Sequence, residues 1–251
     1  VNFPQVAVGG LHVGDASRSQ FIGQAPLMRA EGALRTSPCL RRVSRDHIDA
    51  QVPQGATELS GPGFDGSLLY PNHDDLTRQV SGGEAAGQRI IVTGRVLDEN
   101  GDPVPNTLLE IWQCNAAGRY HHDKDNHDAP LDPYFRGCGR LITGSDGAYR
   151  FTSIRPGAYP WRNHRNAWRP AHIHFSVFGH TMLERLITQM YFPGDPLLGY
   201  DPIFNSVPTE RARERLISHF DLEVTQPEWA LGYHFDIVLR GREQTPMETM
   251  P

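Results

Sequence analysis

The sequence predicts a mainly β protein: a β-sandwich with long loops, an extended N-terminal arm and one short surface helix. Two observations carry that expectation. Gly 25 and Pro 20 together make about 18% of the 251 residues, against about 12% in an average chain, which favours many turns between short elements. Six or more segments rich in β-branched and aromatic residues are bounded by turn signals, while a single stretch shows a helical period.

Residues 1–60 are Gly- and Ala-rich, carry the basic run CLRRVSR and hold no sustained period of 2 or 3.6. They read as an arm that packs on the core or on a partner subunit, the alternative being plain disorder. Residues 61–251 form one β-sandwich domain. Within it, RIIVTGRVLD (89–98) is strand-like, ENGDPVPN is a turn, and TLLEIWQCN (107–115) alternates apolar and polar side chains, so the three read as a hairpin-like unit. GRLIT, the turn GSDG and AYRFTSI (148–154) repeat the arrangement, and HIHFSVFG (172–179), LITQMYF (186–192) and YHFDIVLRG (233–241) supply further strands. The helical stretch is TERARERLISHF (209–220), with a Thr suited to the N-cap and a charged face opposite Leu216 and Ile217.

Charge and hydropathy exclude some partners. A formal net charge of -5 with mixed signs offers no basic face for nucleic acid. No window approaches the roughly 18 apolar residues of a membrane span, and the N-terminus lacks a basic start followed by an apolar run. A soluble, cytoplasmic protein is expected. Cys39, Cys114 and Cys138 are odd in number and without C-x-x-C spacing, which reads as reduced, packed thiols.

The stretch WRPAHIHF (168–175) points to chemistry. Residues i and i+2 of a strand share a face, so His172 and His174 present two imidazoles together. Such a pair is half a metal site, or one hydrogen-bonded core histidine beside an incidental neighbour. RYHHDKDNHD (119–128) has more histidines, but its charge density suits a solvated loop. Tyr120, closing AAGRY, and Tyr159, within RPGAYPW, each lie just beyond a strand end, where the loops of a sandwich gather. Alone, either is an ordinary packed aromatic.

The runs GDPVPNTLLEIWQCNAAGRY, APLDPYFRG, TGSDGAYRFTSIRPGAYPWRNHRNAWRPAHIHFSVFG and LITQMYFPGDPL resemble the intradiol ring-cleavage dioxygenases, and within them the iron-bearing β subunits that act on protocatechuate. The resemblance extends from TELSGPGF (57–64) through HFDIVLRG. It implies a non-haem Fe(III) held by Tyr120, Tyr159, His172 and His174, with Tyr120 and His174 equatorial and Tyr159 and His172 axial. Tyr159 would leave the metal as it accepts a proton from the catechol. Arg169 would stabilise negative charge on the ring, Gln189 would stand near the same spot, and Trp161 would line the pocket. The implied reaction joins protocatechuate and O2 into 3-carboxy-cis,cis-muconate, a step of aromatic catabolism in the β-ketoadipate pathway. The implied partner is a homologous α subunit, sharing the active-site wall in a hetero-oligomer.

The first 50 residues depart from the family pattern. There, β subunits place a tyrosine and an arginine against the substrate carboxylate; this chain has Leu34 before RTS, and either Arg41 or Arg42 to supply the charge. Another substituted catechol therefore stands as an alternative substrate. Two further readings compete. One is a non-catalytic transthyretin-like sandwich, which leaves the two tyrosines and two histidines unexplained; the other is a cupin-type site completed by a carboxylate such as Asp195.

Overall fold

The computed structural model describes residues 73–122, 125, 128–161, 167–179 and 184–247. The arm expected over 1–60 lies outside them, as do Leu34, Cys39, Arg41 and Arg42. The strands are β1 (Arg89–Leu97), β2 (Leu108–Trp112), β3 (Cys138–Ile142), β4 (Ala148–Ile154), β5 (Tyr159–Pro160), β6 (Trp168–Arg169), β7 (His172–Phe178), β8 (Arg185–Tyr191), β9 (His219–Phe220), β10 (Leu231–His234) and β11 (Ile237–Val238). Two sheets face each other, as the mainly β expectation requires. In the first, β1 pairs antiparallel with β4 and parallel with β10 and β11, and β9 adds to β10. The second is antiparallel throughout, in the order β3-β2-β7-β8, and β5 with β6 makes a separate small ribbon. Alternate residues of both sheets point inward, and Ile90, Val92, Phe151, Leu109, Ile111, Ile173, Phe175 and Met190 belong to one buried cluster.

The expected hairpins do not form. β1 belongs to the first sheet and β2 to the second, and β3 and β4 are divided in the same way. Pro103 and Pro105 have no N–H to give to a ladder, so the chain leaves the first sheet there. Val104 returns one hydrogen bond to Val96, and Asn106 then bonds to Thr143 of the opposite side. Both apolar faces thus reach the core from opposite layers.

The last expected strand is broken into β10 and β11. Phe235 and Asp236 bulge between them: Phe235 N–H still donates to Thr93, but Arg95 N–H donates to the Asp236 side chain at 2.8 Å. Opposite the bulge stands Gly94, where the Phe235 carbonyl oxygen occupies the place a Cβ would take. Tyr149 Oη donates to that same carbonyl. Gly94→Ala should therefore destabilise the fold by about 3 kcal/mol. Equilibrium urea unfolding measures this, and an unchanged midpoint would mean the two segments separate freely.

The single surface helix also needs correcting. Among the described residues there are two short α-helices, α1 (Pro202–Ser206) and α2 (Glu210–Glu214), and α2 stops well short of residue 220. Tertiary pairing overrides helical period: Tyr191 N–H donates to Leu216 O and Ser218 N–H to Tyr191 O, so 216–218 join β8 and bury Leu216. Helix α1 went unread, although Asp201 before Pro202 is an N-cap followed by proline at the first helical position. The expectation of reduced thiols fails at Cys138, which is disulfide-bonded, while Cys114 is a free, buried thiol. Spacing along the chain does not limit which distant cysteines folding brings together.

Candidate metal centre and active site

An antiparallel sandwich strand commonly alternates a core face with a wet one. In β7, by contrast, His172 through Val177 are all buried. Its inner face is apolar, whereas His172, His174 and Ser176 lie on the outer face and need partners there. Register sets Trp112 of β2 and Gln189 of β8 beside His174, and Tyr191 beside His172. Cross-strand neighbours share a face, so the site is assembled on the outside of the second sheet.

Two segments carry the tyrosines to it. After β2, Asn115 Oδ1 accepts from the N–H of Ala117 and of Arg119 at 2.9 and 3.0 Å, and Asp125 accepts from Tyr120 N–H at 2.7 Å. Gly118 lets this loop meet the next one: its φ is 82°, and a Cβ would strike the Ala158 carbonyl. Tyr159 is held by the β5–β6 ribbon, directly opposite Arg169.

The outcome is a convergence of four side chains. Tyr120 Oη lies 3.1 Å from His174 Nε2 and 3.3 Å from His172 Nε2, and Tyr159 Oη lies 3.5 Å from His172 Nε2. The two phenol rings meet edge to face, and Trp112 stacks flat on His174 at 4.9 Å between centroids. His172 Nδ1 is 2.7 Å from the Pro170 carbonyl, which can only accept. Nδ1 therefore carries the proton, and the Nε2 lone pair faces the tyrosines. Burial, reinforced by Arg169 and His174, pushes the His172 pKa well below the ordinary imidazole range, so the ring is neutral. Burial likewise pushes Tyr159 up to about 12 and Tyr120 well above the ordinary phenol range.

This donor set suits a cation. Donors about 2.1 Å from one ion, at right-angled to tetrahedral spacing, sit about 3.0–3.4 Å apart; the observed separations run from 3.1 to 3.5 Å. Two phenols that stay protonated in a dry pocket ionise when a multiply charged ion arrives, and hard anionic oxygens beside neutral imidazoles favour a trivalent metal. Among the described residues, no three His, Cys, Asp or Glu side chains converge. Asp195, the carboxylate of the cupin-type alternative, instead accepts from the N–H of Ala171 and of Leu197 at 3.3 and 3.0 Å. In the histidine-rich loop His121 is exposed and His122 half-buried, and His127 lies outside the described residues.

Beside the four donors stands a polar wall. Arg169 is buried, 4% exposed, so its charge is met by protein groups and not by solvent. Its Nε lies 3.0 Å from Asp201 Oδ1, its Nη2 donates to Gln189 Oε1, and its guanidinium sits 5.9 Å from the centre of the Trp161 ring. Burial opposes the charge, but Tyr159, Tyr191 and Asp201 outweigh it and hold the pKa well above the arginine range. Trp161 is itself buried, packed with Ala167 and Ile203. Gln189 Nε2 is buried without a hydrogen-bond partner among the described residues, a donor that an oxygen of a bound ligand would satisfy. Sequence reading found Arg169, Gln189 and Trp161 but missed Trp112, Tyr191 and Asp201. Period-2 alternation from Glu110 would have put Trp112 on the polar face; nothing local marks Tyr191.

A family model described as "Dioxygenase" matches residues 59–241. The protocatechuate 3,4-dioxygenase beta chain of Burkholderia cepacia is 63% identical over 188 residues, covering 74% of this chain and 80% of that one. This chain belongs to the intradiol ring-cleavage dioxygenase family. Intradiol dioxygenases use non-haem iron, in keeping with a pocket of phenols and imidazoles. The protocatechuate 3,4-dioxygenase alpha chain of B. cepacia is a more distant member, 29% identical over 77% of this chain and 96% of that one. The solved hydroxyquinol 1,2-dioxygenase of Pseudomonas putida DLL-E4 superposes with a TM-score of 0.51 at 23% identity, over 77% of this chain and 70% of that one. That likeness bears on the fold alone.

Proposed function

We propose that this intradiol dioxygenase is the iron-bearing β subunit of an enzyme that cleaves protocatechuate with O2, between the two hydroxylated carbons, to give 3-carboxy-cis,cis-muconate in aromatic catabolism. The observation that carries this is the approach of Tyr120, Tyr159, His172 and His174 within 3.1–3.5 Å, in a chain 63% identical to a protocatechuate 3,4-dioxygenase beta chain. Those four side chains are the ligands in this reading. Ferric iron held by them would supply a Lewis acid for both catechol oxygens and an electron path between ring and O2.

The remaining work falls to side chains. His172 and His174 offer their Nε2 atoms, the first ring oriented by the Pro170 carbonyl and the second by the Trp112 stack. Tyr159, whose phenol pKa is pushed by burial up to about 12, is a strong base once ionised and accepts one catechol proton. Arg169 sets a fixed positive charge where negative charge develops on the ring. Trp161 limits the pocket beside it, and Gln189 turns its amide N–H toward the bound ligand. Tyr159→Phe should keep iron but slow substrate binding about 100-fold in anaerobic stopped-flow mixing; an unchanged rate would remove Tyr159 as the proton acceptor.

The same reading supplies a homologous α subunit in a hetero-oligomer, supported by similarity to both the beta and the alpha chain of one organism. Recognition of the substrate carboxylate falls, in this reading, to the first 50 residues, with Arg41 or Arg42 supplying the positive charge. The enzyme would work in the cytoplasm, in keeping with a described part whose helices are all too short to span a membrane; the Cys138 disulfide pulls the other way. Cell fractionation decides it. To test the function, the iron-loaded protein is examined for a broad red-brown absorption and for O2 uptake with protocatechuate and with catechol. The expected result is colour and faster turnover of protocatechuate. A colourless preparation at full iron occupancy, or no ring opening of either compound, would overturn the reading.

A further inference from the structure

We infer that Asp201 is a positioning residue for ring cleavage: it locks the Arg169 guanidinium into the single orientation in which the cation faces the reacting ring. The inference rests on the role given to Arg169 above, and it begins with a fully buried carboxylate outside the ligand set.

Asp201 is fixed from three directions. Its Oδ1 lies 3.0 Å from Arg169 Nε and accepts from Ile203 N–H at 3.0 Å as the N-cap of α1, and its Oδ2 accepts the Tyr191 hydroxyl at 2.9 Å. Pro202 stiffens the backbone immediately after it. The carboxylate is therefore an immobile counter-charge, set by helix geometry and not by its own rotamers. Arg169 is gripped at the opposite end by Gln189 Oε1, which takes its Nη2, and Gln189 Oε1 also lies 3.0 Å from the Tyr191 hydroxyl. Arg169, Asp201, Tyr191 and Gln189 thus close a ring of polar contacts, and Trp161 flanks the guanidinium.

A cation used electrostatically acts only if it is already in place when charge develops. Arginine side chains have many rotamers, and a displacement of about 1 Å can cost about 100-fold in rate. Asp201 sets its negative charge 3.0 Å from Nε without a directed N–H hydrogen bond, so it anchors that side of the guanidinium by charge, while Nη2 reaches Gln189. Asparagine at 201 would keep the cap through its oxygen, turn the Tyr191 bond round so that the amide N–H donates to the hydroxyl oxygen, and lose the charge that holds Arg169.

The test uses the full chain assembled with its partner and loaded with iron: wild type, Asp201→Asn, Arg169→Gln and the double variant. Iron content, the visible spectrum, anaerobic affinity for protocatechuate, kcat and KM are measured. Asp201→Asn should keep iron, spectrum and affinity within about threefold while kcat falls about 10- to 100-fold. In the Arg169→Gln background the same change should cost less than about threefold, because no guanidinium remains to be oriented. Equal losses in both backgrounds, or a kcat within twofold of wild type, would overturn the inference. If Asp201→Asn does not fold, Asp201→Glu, which keeps the charge and shifts it by one methylene, should lower kcat with KM unmoved; full activity overturns the inference. Wild-type protein that opens no catechol ring refutes the proposed function itself, and this inference with it. A working wild type with the outcomes above reversed refutes this inference alone.

Discussion

His174→Ala removes most of the iron. The ring is one of four donors joined by contacts of 3.1–3.5 Å, and Trp112 stacks on one of its faces. What remains is Tyr120, Tyr159 and His172, with both phenols still buried and reluctant to ionise. Losing a neutral donor also weakens the grip needed to displace their protons, since metal binding and phenol deprotonation are one coupled event. Iron per chain, by metal analysis after gel filtration, should fall below about a tenth of the wild-type content, a loss of about 1.4 kcal/mol or more in binding. The red-brown absorption and ring cleavage should vanish with it. Stoichiometric iron with a wild-type spectrum would take His174 out of the ligand set.

The second large effect belongs to Arg169→Gln, which should lower kcat by about 100- to 1000-fold, in the range seen when one preorganised electrostatic donor is removed. Iron and colour should persist, because Arg169 is no donor to the metal. Stability should fall as well. Asp201 is fully buried and loses its ion-pair partner, which costs about 3–5 kcal/mol. The two effects separate experimentally: kcat is read well below the melting temperature, and thermal unfolding reports the ion pair. A variant that loses stability but retains kcat would leave Arg169 with a structural role only.

Legibility from sequence differed from one feature to another. His172 and His174 were readable because a strand puts i and i+2 on one face, a local rule that needs no tertiary information. Turn residues and strand composition gave the β class for the same reason. The hairpins were misread because turn residues announce a reversal without saying whether the strands beyond it share a sheet. The helix over 209–220 was overextended because its period was real, yet β8 offered residues 216–218 a backbone partner that the helix could not match. Asp201 lies 32 positions from Arg169 and Tyr191 lies 71 from Tyr120, so no spacing rule links them.

The sequence by itself determined which residues were able to act: side-chain chemistry, strand periodicity and family motifs all lie in the order of residues, and they singled out Tyr120, Tyr159, His172, His174, Arg169, Gln189 and Trp161. Only the tertiary structure decided that the outer face of β7 is dry. Solvent exclusion comes from loops, the β5–β6 ribbon and α1 closing over one sheet, and it is a property of the packed whole. That dryness keeps His172 neutral and the phenols protonated until a cation arrives, and it turns the Arg169–Asp201 contact from a weak surface pair into a fixed charge beside the pocket.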